Sequence, residues 1–312
     1  MNEAQPLVSI LTLVYNHSAF IEQTIACVMD QTFENWEWII LDDGSTDGTG
    51  EAVRKIQDGR IHYRFQENAG VEQLAGTYNK ALALCRGVFI ALLDGDDYWP
   101  DNKIELQLKS FADPDIVLSY GECLVVNRKG RVIYRICLPD DLSAARNDPV
   151  GSALRKLLVD KCCFMVHPTV MIRKSALLAV GGFAKAGRIG EDFPTWVRLS
   201  LEGRFAAVPQ CLGYYRKHAL SLSATQDPMA YFDNELNFLR DFFLSNNQRL
   251  KYMGFAYDIR ELERRWERLR ARVRIVCVLR VLSSLLRIDL VNAAVSAKLK
   301  LHALVKNLLS HK

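Results

Sequence analysis

The polar–apolar pattern of the first hundred residues switches between two periods. Continuous apolar runs at residues 7–14 (LVSILTLV), 36–41 (WEWIIL) and 89–93 (FIALL), with a shorter strand signal at 61–65, suit strands buried on both faces. Stretches at residues 19–29, 50–57 and 71–85 lie between them and carry apolar positions at helical spacing; Phe20, Ile21, Ile25, Val28 and Met29 are an example. Strand, helix, strand, helix, strand, helix, strand is the order of a parallel, doubly wound sheet. Such a sheet gathers its ligands at the C-terminal ends of its strands.

Further along, a helix is expected over residues 101–111. Strands are expected at 116–120 and 123–127, then a turn at Asn127-Arg128-Lys129-Gly130 leading to another strand at 132–136. Residues 140–149 read as a polar loop, 151–159 as a helix and 169–173 as a short strand followed by a helix ended by Gly181-Gly182. Gly190-Glu191-Asp192-Phe193-Pro194 opens another helix, with Pro194 near its first turn, and two closing strands follow at 205–208 and 212–215. From Pro228 the strand signal stops. Arg and Lys then alternate with Leu, Val and Ile at helical spacing, as in two or three amphipathic helices.

Charge sharpens that division. The net charge of +4 conceals a tail, from Asp241 onward, with 15 Lys/Arg against 6 Asp/Glu, so the preceding body is net acidic. The 312-residue length then suits one large catalytic unit (1–227, in halves of about 1–112 and 113–227) plus a basic helical extension, 228–312. For that extension two roles are weighed: contact of residues 258–312 with an anionic membrane surface, and a helical cap on the body. The N-terminus has no basic segment leading into an apolar core, and no uncharged run is long enough to span a bilayer; residues 275–288 are interrupted by Arg280 and Arg287. The eight cysteines show no CxxC spacing, so they are expected to be reduced, mostly buried thiols in a cytoplasmic protein. No recognised nucleic-acid motif accompanies the basic residues.

Chemistry enters where the apolar runs stop. The first ends in Tyr15-Asn16-His17-Ser18, the second in Asp42-Asp43-Gly44-Ser45-Thr46-Asp47, the fourth in Asp94-Gly95-Asp96-Asp97. Three acids at one strand end repel one another unless solvated or gathered round a hard cation such as Mg²⁺ or Mn²⁺. An acidic turn alone would account for them equally well; the three strand ends together favour a site. No GxGxxG follows the first strand, which argues against a dinucleotide oxidoreductase.

In combination, Ser9-Ile10-Leu11-Thr12-Leu13-Val14-Tyr15-Asn16, Leu41-Asp42-Asp43-Gly44-Ser45-Thr46-Asp47 and Leu93-Asp94-Gly95-Asp96-Asp97 resemble the family 2 inverting glycosyltransferases of the GT-A fold, the type that builds bacterial polysaccharides. The likeness continues through Gly181-Gly182-Phe183, Gly190-Glu191-Asp192 and Tyr214-Tyr215-Arg216-Lys217-His218, and leaves the helical tail outside it. The resemblance implies a nucleotide-diphosphate sugar donor, UDP by family frequency, and a glycan or lipid-linked acceptor. Tyr15 and the Asp42-Asp43 pair would meet base and ribose, with Leu13, Asn16, Gly70, Asn79, Gly95, Arg216 and Lys217 also lining the donor. Asp94 and Asp96 match the DXD motif that holds Mn²⁺ or Mg²⁺ against the diphosphate, with His218 beside the metal. Asp192 would be the general base, with Glu191 as the alternative. Trp99 is weighed as a sugar-stacking ring and Trp196 as core, while His167 is given a lesser chance of function. One departure stands out: relatives commonly carry Arg where this chain has Tyr78. The competing reading is an inactive nucleotide-sugar-binding protein whose tail binds a membrane or partner.

Overall fold

The computed structural model describes residues 5–159, 163–184, 190–255 and 257–286, with the backbone alone at 143–144 and 276–286. Its centre is an eight-stranded mixed sheet of order β3-β2-β1-β4-β7-β5-β6, with β8 paired to β5. The first half is parallel: β1 (Val8–Val14) lies between β2 (Trp36–Asp43) and β4 (Phe89–Leu92), and β3 (Ile61–Gln66) flanks β2. Its connections are α1 (Ile21–Met29), α2 (Thr49–Arg54) and α3 (Leu74–Leu84), the last preceded by a 3₁₀ turn at Val71–Gln73. Side chains of β1 divide between the two faces. Val8, Ile10 and Val14 join one core cluster and Leu11 and Leu13 the other, so the run is apolar throughout because water reaches neither face.

After α4 (Lys103–Ser110) the chain reverses direction. The expected strands at 116–120 and 123–127 are one strand, β5 (Ile116–Asn127), antiparallel to β7 (Met171–Arg173) at its start and to β6 (Val132–Ile136) at its end. β8 (Arg204–Lys217) is likewise a single strand, parallel to β5 over its length, and register shifts absorb the break expected between its halves. The segment expected to be loop contains α5 (Leu142–Arg146), and α6 (Ser152–Leu154) runs into a π-helical turn at Arg155–Val159. The sequence there looks polar, but Asn147 is fully buried, and its side-chain oxygen accepts from the N–H groups of Gly151 and Ala153. Helices α7 (Lys174–Ala179), α8 (Asp192–Leu199) and α9 (Leu222–Thr225) complete the body. Of the described cysteines, Cys27, Cys85 and Cys123 are buried and Cys137 and Cys163 exposed, so the expected burial holds for only part of the set.

The tail begins as α10 (Pro228–Tyr252), capped by the Asp227 carboxylate on the N–H of Met229, and continues in α11 (Ile259–Leu286). Leu239, Phe242, Phe243 and Leu250 of α10, and Leu262 and Trp266 of α11, sit in the same core cluster as Tyr78 and Trp196. The Trp266 indole N–H donates to Leu158 O at 2.8 Å. Each such side chain, fully buried, contributes roughly 1.5–3 kcal/mol. This part of the extension is thus built into the body. Among the described residues no helix is long and apolar enough to cross a membrane. The Lys/Arg-rich residues from 287 on, expected to be helical, lie outside the described residues.

Candidate active site

Two acidic clusters lie at the ends of one chain of hydrogen bonds. The first follows β4, where the apolar run ends and the chain turns through Asp94-Gly95-Asp96-Asp97. The turn is tight: a side chain at Gly95 would come within 2.6 Å of both Val14 and His17, so glycine is required there. Thr24 of α1 donates to the carbonyls of Gly95 and Asp97 and pins the loop from below. Asp96 Oδ2 accepts from His218 Nε2 at 2.9 Å, and His218 Nδ1 accepts the N–H of Leu220, which assigns the ring proton to Nε2. Asp97 is buried; its Oδ1 accepts the Arg216 N–H at 2.7 Å, and its Oδ2 is buried without a partner.

Burial works against all three charges. It raises Asp94, despite His167 nearby, and raises Asp97 strongly, with Asp96 and Asp94 adding to the effect. Burial opposes the charge on Asp96 too, but His17 and His218 outweigh it and hold that carboxyl below its usual range. Clustered hard oxygen donors, one of them buried and unpaired, fit a divalent cation of the Mg²⁺ or Mn²⁺ kind.

The second cluster opens α8. Glu191 and Asp192 have carboxylate oxygens that lie, together with a ring nitrogen of His167, within 4.8 Å of one another. Glu191 is buried, and burial followed by the charge of Asp192 pushes its pKa up to about 8. Asp192 is more open, with 27% of its side chain exposed, and its Oδ1 takes a hydrogen bond from His167 Nδ1 at 2.8 Å.

Tyr78 and His167 join the clusters. The Tyr78 hydroxyl donates to Asp94 Oδ1 at 2.5 Å, and its oxygen lies 3.1 Å from His167 Nε2. The hydroxyl proton is already committed, so the ring must donate to Tyr78 through Nε2 and to Asp192 through Nδ1. That arrangement defines an imidazolium. Burial alone would lower the His167 pKa; Asp192 and Asp94 outweigh it and push it up to about 10. An unbroken path of hydrogen bonds therefore runs from Asp94 through Tyr78 and His167 to Asp192.

These two residues are the ones sequence reasoning undervalued. Tyr78 departs from the family pattern and His167 is a minor candidate by sequence, yet both are buried at the centre of the site. The signal that could have found them was the pairing of an unusual Tyr with a His-Pro, and it acquires meaning only when α3 and the segment before β7 meet. His17 was passed over as a turn residue; it lies against Gly95, and its Nδ1 is buried without a partner.

Several expected donor contacts turn out to brace the loops instead. Asp42 is 1% exposed, and its carboxylate accepts from Ser45 N–H and the Tyr63 hydroxyl, locking the turn after β2. Asp43 is more open, with Oδ1 held by Gln66 and Ala69. Asn16 takes the Thr46 N–H on its side chain and ties two strand-end loops together. Leu13 is buried in the core, and its carbonyl accepts from the Gly95 N–H. Asn79 has its amide spent on both backbone groups of Phe183. Gly70, at φ +79°, starts the 3₁₀ turn.

Arg216, expected on a phosphate, is 2% exposed; its guanidinium donates to the carbonyls of Asp96, Asn127 and Arg128 and to the Gln23 side chain. Lys217 reaches away to the Tyr134 hydroxyl at 2.7 Å. Backbone carbonyls at these loop ends need donors, and the long polar side chains supply them. Trp99 is also buried, its N–H bonded to Pro168 O, so it offers no stacking face; Trp196 is core, as expected. Tyr15, at 50% exposed, remains an open aromatic ring at the end of β1.

A mixed, mostly parallel sheet with acids at its strand ends and an acidic helix start joined to them defines a GT-A glycosyltransferase. The Glycosyl transferase family 2 model matches residues 9–181, and the chain belongs to that family. It is 31% identical over 234 residues to the putative teichuronic acid biosynthesis glycosyltransferase TuaG of Bacillus subtilis, covering 72% of this chain and 85% of the relative. It is 29% identical over 248 residues to the Escherichia coli UDP-Glc:alpha-D-GlcNAc-diphosphoundecaprenol beta-1,3-glucosyltransferase WfgD, covering 79% and 90%. Among solved structures, residues 1–349 of S. aureus TarS in complex with UDP-GlcNAc superpose with a TM-score of 0.60 at 18% identity. That match covers 76% of this chain and 66%, just under two thirds, of the TarS chain. The mannosyltransferase PcManGT from Pyrobaculum calidifontis, in complex with GDP-Man and Mn²⁺, gives a TM-score of 0.51 at 18% identity, covering 78% and 65%. At these identities the solved structures speak for the fold.

Proposed function

We propose that this protein transfers a sugar from a nucleotide-diphosphate donor, a UDP-sugar, to a hydroxyl of a glycan or lipid-linked acceptor, with inversion at the anomeric carbon, in bacterial polysaccharide synthesis. The observation that carries the reading is a pair of joined acidic clusters: a cation-type carboxylate cluster at the end of β4, linked through Tyr78 and His167 to a second carboxylate at the start of α8.

In this reading Asp94 and Asp96 hold the divalent metal, with His218 beside them. The ion, when bound, offsets the charge that develops on the departing diphosphate. Tyr15 supplies the open ring for the base and Asp43 the more accessible of the two ribose-side carboxylates. Asp192 is the general base. As the acceptor oxygen forms its bond to the anomeric carbon, the bond from that carbon to the diphosphate oxygen breaks and its electron pair leaves with the nucleotide. The acceptor's proton passes to Asp192. Glu191 is less suited to that role, because a carboxyl with a pKa near 8 is largely protonated at neutral pH. His167 holds Asp192 in orientation and balances its charge; Tyr78 holds Asp94.

The donor nucleotide is argued from the relatives, several of which carry UDP-sugar in their names or complexes. A lipid-linked acceptor and a peripheral location on the inner face of the cell membrane belong to the same proposal, since one relative is named for a diphosphoundecaprenol substrate. Thermal-shift screening of nucleotide sugars with Mn²⁺ tests it, because a ligand that binds only the folded state raises the melting temperature. UDP-sugars with Mn²⁺ should raise it most, and EDTA should abolish the gain. A rise with guanosine donors alone would overturn the UDP assignment, and no rise with any donor would overturn the whole reading.

A further inference from the structure

The β5–β6 hairpin has a surface that neither the core nor the reaction explains. Between Asn127 and Cys137 four of the eleven residues are Arg or Lys and none is acidic; Arg135 is paired with Glu122 of β5, so the positive charge is concentrated at Arg128, Lys129 and Arg131, on a body that is net acidic. Its apolar residues face outward: Val132 is 57% exposed, Ile133 53% and Tyr134 44%. A register shift pairs Tyr134 with Val125 and Val132 with Val126, consecutive residues of β5 that point to opposite faces, so the ribbon is apolar on both sides. Leu220, just beyond the end of β8, is 76% exposed. An isolated exposed leucine needs no explanation, but a contiguous apolar group fringed by cations does.

The hairpin is also fixed to the site. Arg216 donates to Asp96 O at 2.8 Å and to Arg128 O at 3.0 Å, bridging the metal loop and the hairpin turn. Lys217, one residue before His218, reaches across β5 from β8 to bind the Tyr134 hydroxyl. The ribbon is therefore tied to the loop that carries Asp96.

We infer that the β5–β6 hairpin docks this protein on an anionic lipid bilayer, with Val132, Ile133 and Tyr134 entering the interfacial layer and Arg128, Lys129 and Arg131 meeting the lipid phosphates. Charge complementarity selects this occupant: apolar side chains bounded by Arg and Lys are what an anionic interface binds. A second copy of the chain pairing along β6 is less well served, because it would set the cations of two hairpins against each other. Lysine and arginine on an edge strand are a common guard against such pairing. Docking here would present the site to an acceptor that emerges from the membrane. This deepens the peripheral location proposed above, and only its bearing on the acceptor rests on the proposed reaction.

The test is co-sedimentation of the full chain with vesicles of phosphatidylglycerol and phosphatidylcholine in equal parts, against phosphatidylcholine alone, with no donor or acceptor present. The wild type should bind the anionic vesicles and not the neutral ones, more weakly as salt rises. Lys129→Glu with Arg131→Glu should weaken binding about tenfold or more, since each cation near such a surface counts for about a factor of five. Val132→Ser with Ile133→Ser should weaken it as well. Lys129→Gln with Arg131→Gln serves as the milder charge variant, and circular dichroism and melting temperature should match the wild type for each. Variants that bind like the wild type would move the contact elsewhere, the tail included, and overturn the inference. So would a wild type that ignores the vesicles, or a dimer in sedimentation velocity that the hairpin substitutions dissolve. Because vesicle binding is read without catalysis, its failure leaves the proposed reaction standing.

Discussion

The two acidic ends of the site differ in how their charge is balanced. At the end of β4, Asp94, Asp96 and Asp97 crowd together with histidines, the Tyr78 hydroxyl and a backbone N–H for company, and Asp97 keeps a buried oxygen unpaired. At the start of α8, Glu191 and Asp192 have an imidazolium built in beside them. The β4 end keeps a buried carboxylate oxygen without a partner and suits an ion from outside; the α8 end has the His167 ring bonded directly to Asp192. Similar residue types acquire different work because burial and neighbours differ.

The supports differ too. The β4 end rests on the hairpin through Arg216, whereas the α8 end rests on the tail. A side chain at Gly190 would press against the Tyr231 ring of α10, and α11 anchors through Trp266. The tail is thereby part of what shapes the start of α8, although the family match ends before it.

The largest expected effect falls on the α8 end. Asp192→Asn should lower the transfer rate about 10²–10⁴-fold, the usual contribution of a positioned base. Transfer at the wild-type rate, followed as UDP release with acceptor present, would remove Asp192 from that role. At the β4 end, Asp96→Asn should weaken Mn²⁺ binding by roughly 100-fold or more, and EDTA should stop turnover until Mn²⁺ or Mg²⁺ is restored. Chelator-resistant turnover would erase the contrast between the two ends. Trp266→Ala tests the support from the tail: it should cost about 3–5 kcal/mol in urea unfolding. A much smaller loss would mean that α11 is an appendage. The mildest effect is expected where the ends are joined. Tyr78→Phe removes one hydroxyl between Asp94 and His167 and should cost roughly tenfold in kcat, the worth of a hydrogen bond to a charged group. An unchanged kcat would show that the two ends work unconnected.

The same contrast accounts for what could be read from the chain. The four strands of the first half and the acids at their ends were legible because each element is made from one continuous stretch. A run of apolar residues followed by Asp94-Gly95-Asp96-Asp97 says both strand and site. The second half depends on meetings between distant segments. β7 supplies only three residues, and β5 and β8 are single long strands whose breaks in pattern are absorbed by register shifts. His167 and Tyr78 stand 89 positions apart, and neither means much until the fold brings them within 3.1 Å. The opposite error has a physical cause as well. Asp42, Asn79 and Arg216 carry the chemistry of ligand contacts, but tight loops need those same polar groups to satisfy their backbones. Residue type alone does not distinguish a group offered to a ligand from one already spent.

Isothermal titration of a UDP-sugar into the Asp192→Asn protein, with Mn²⁺ and then with EDTA, tests the division of labour between the two ends most directly. The donor should bind the variant as tightly as the wild type when Mn²⁺ is present and far more weakly in its absence. Donor affinity that collapses with the Asp192 substitution, or that ignores the metal, would contradict the account.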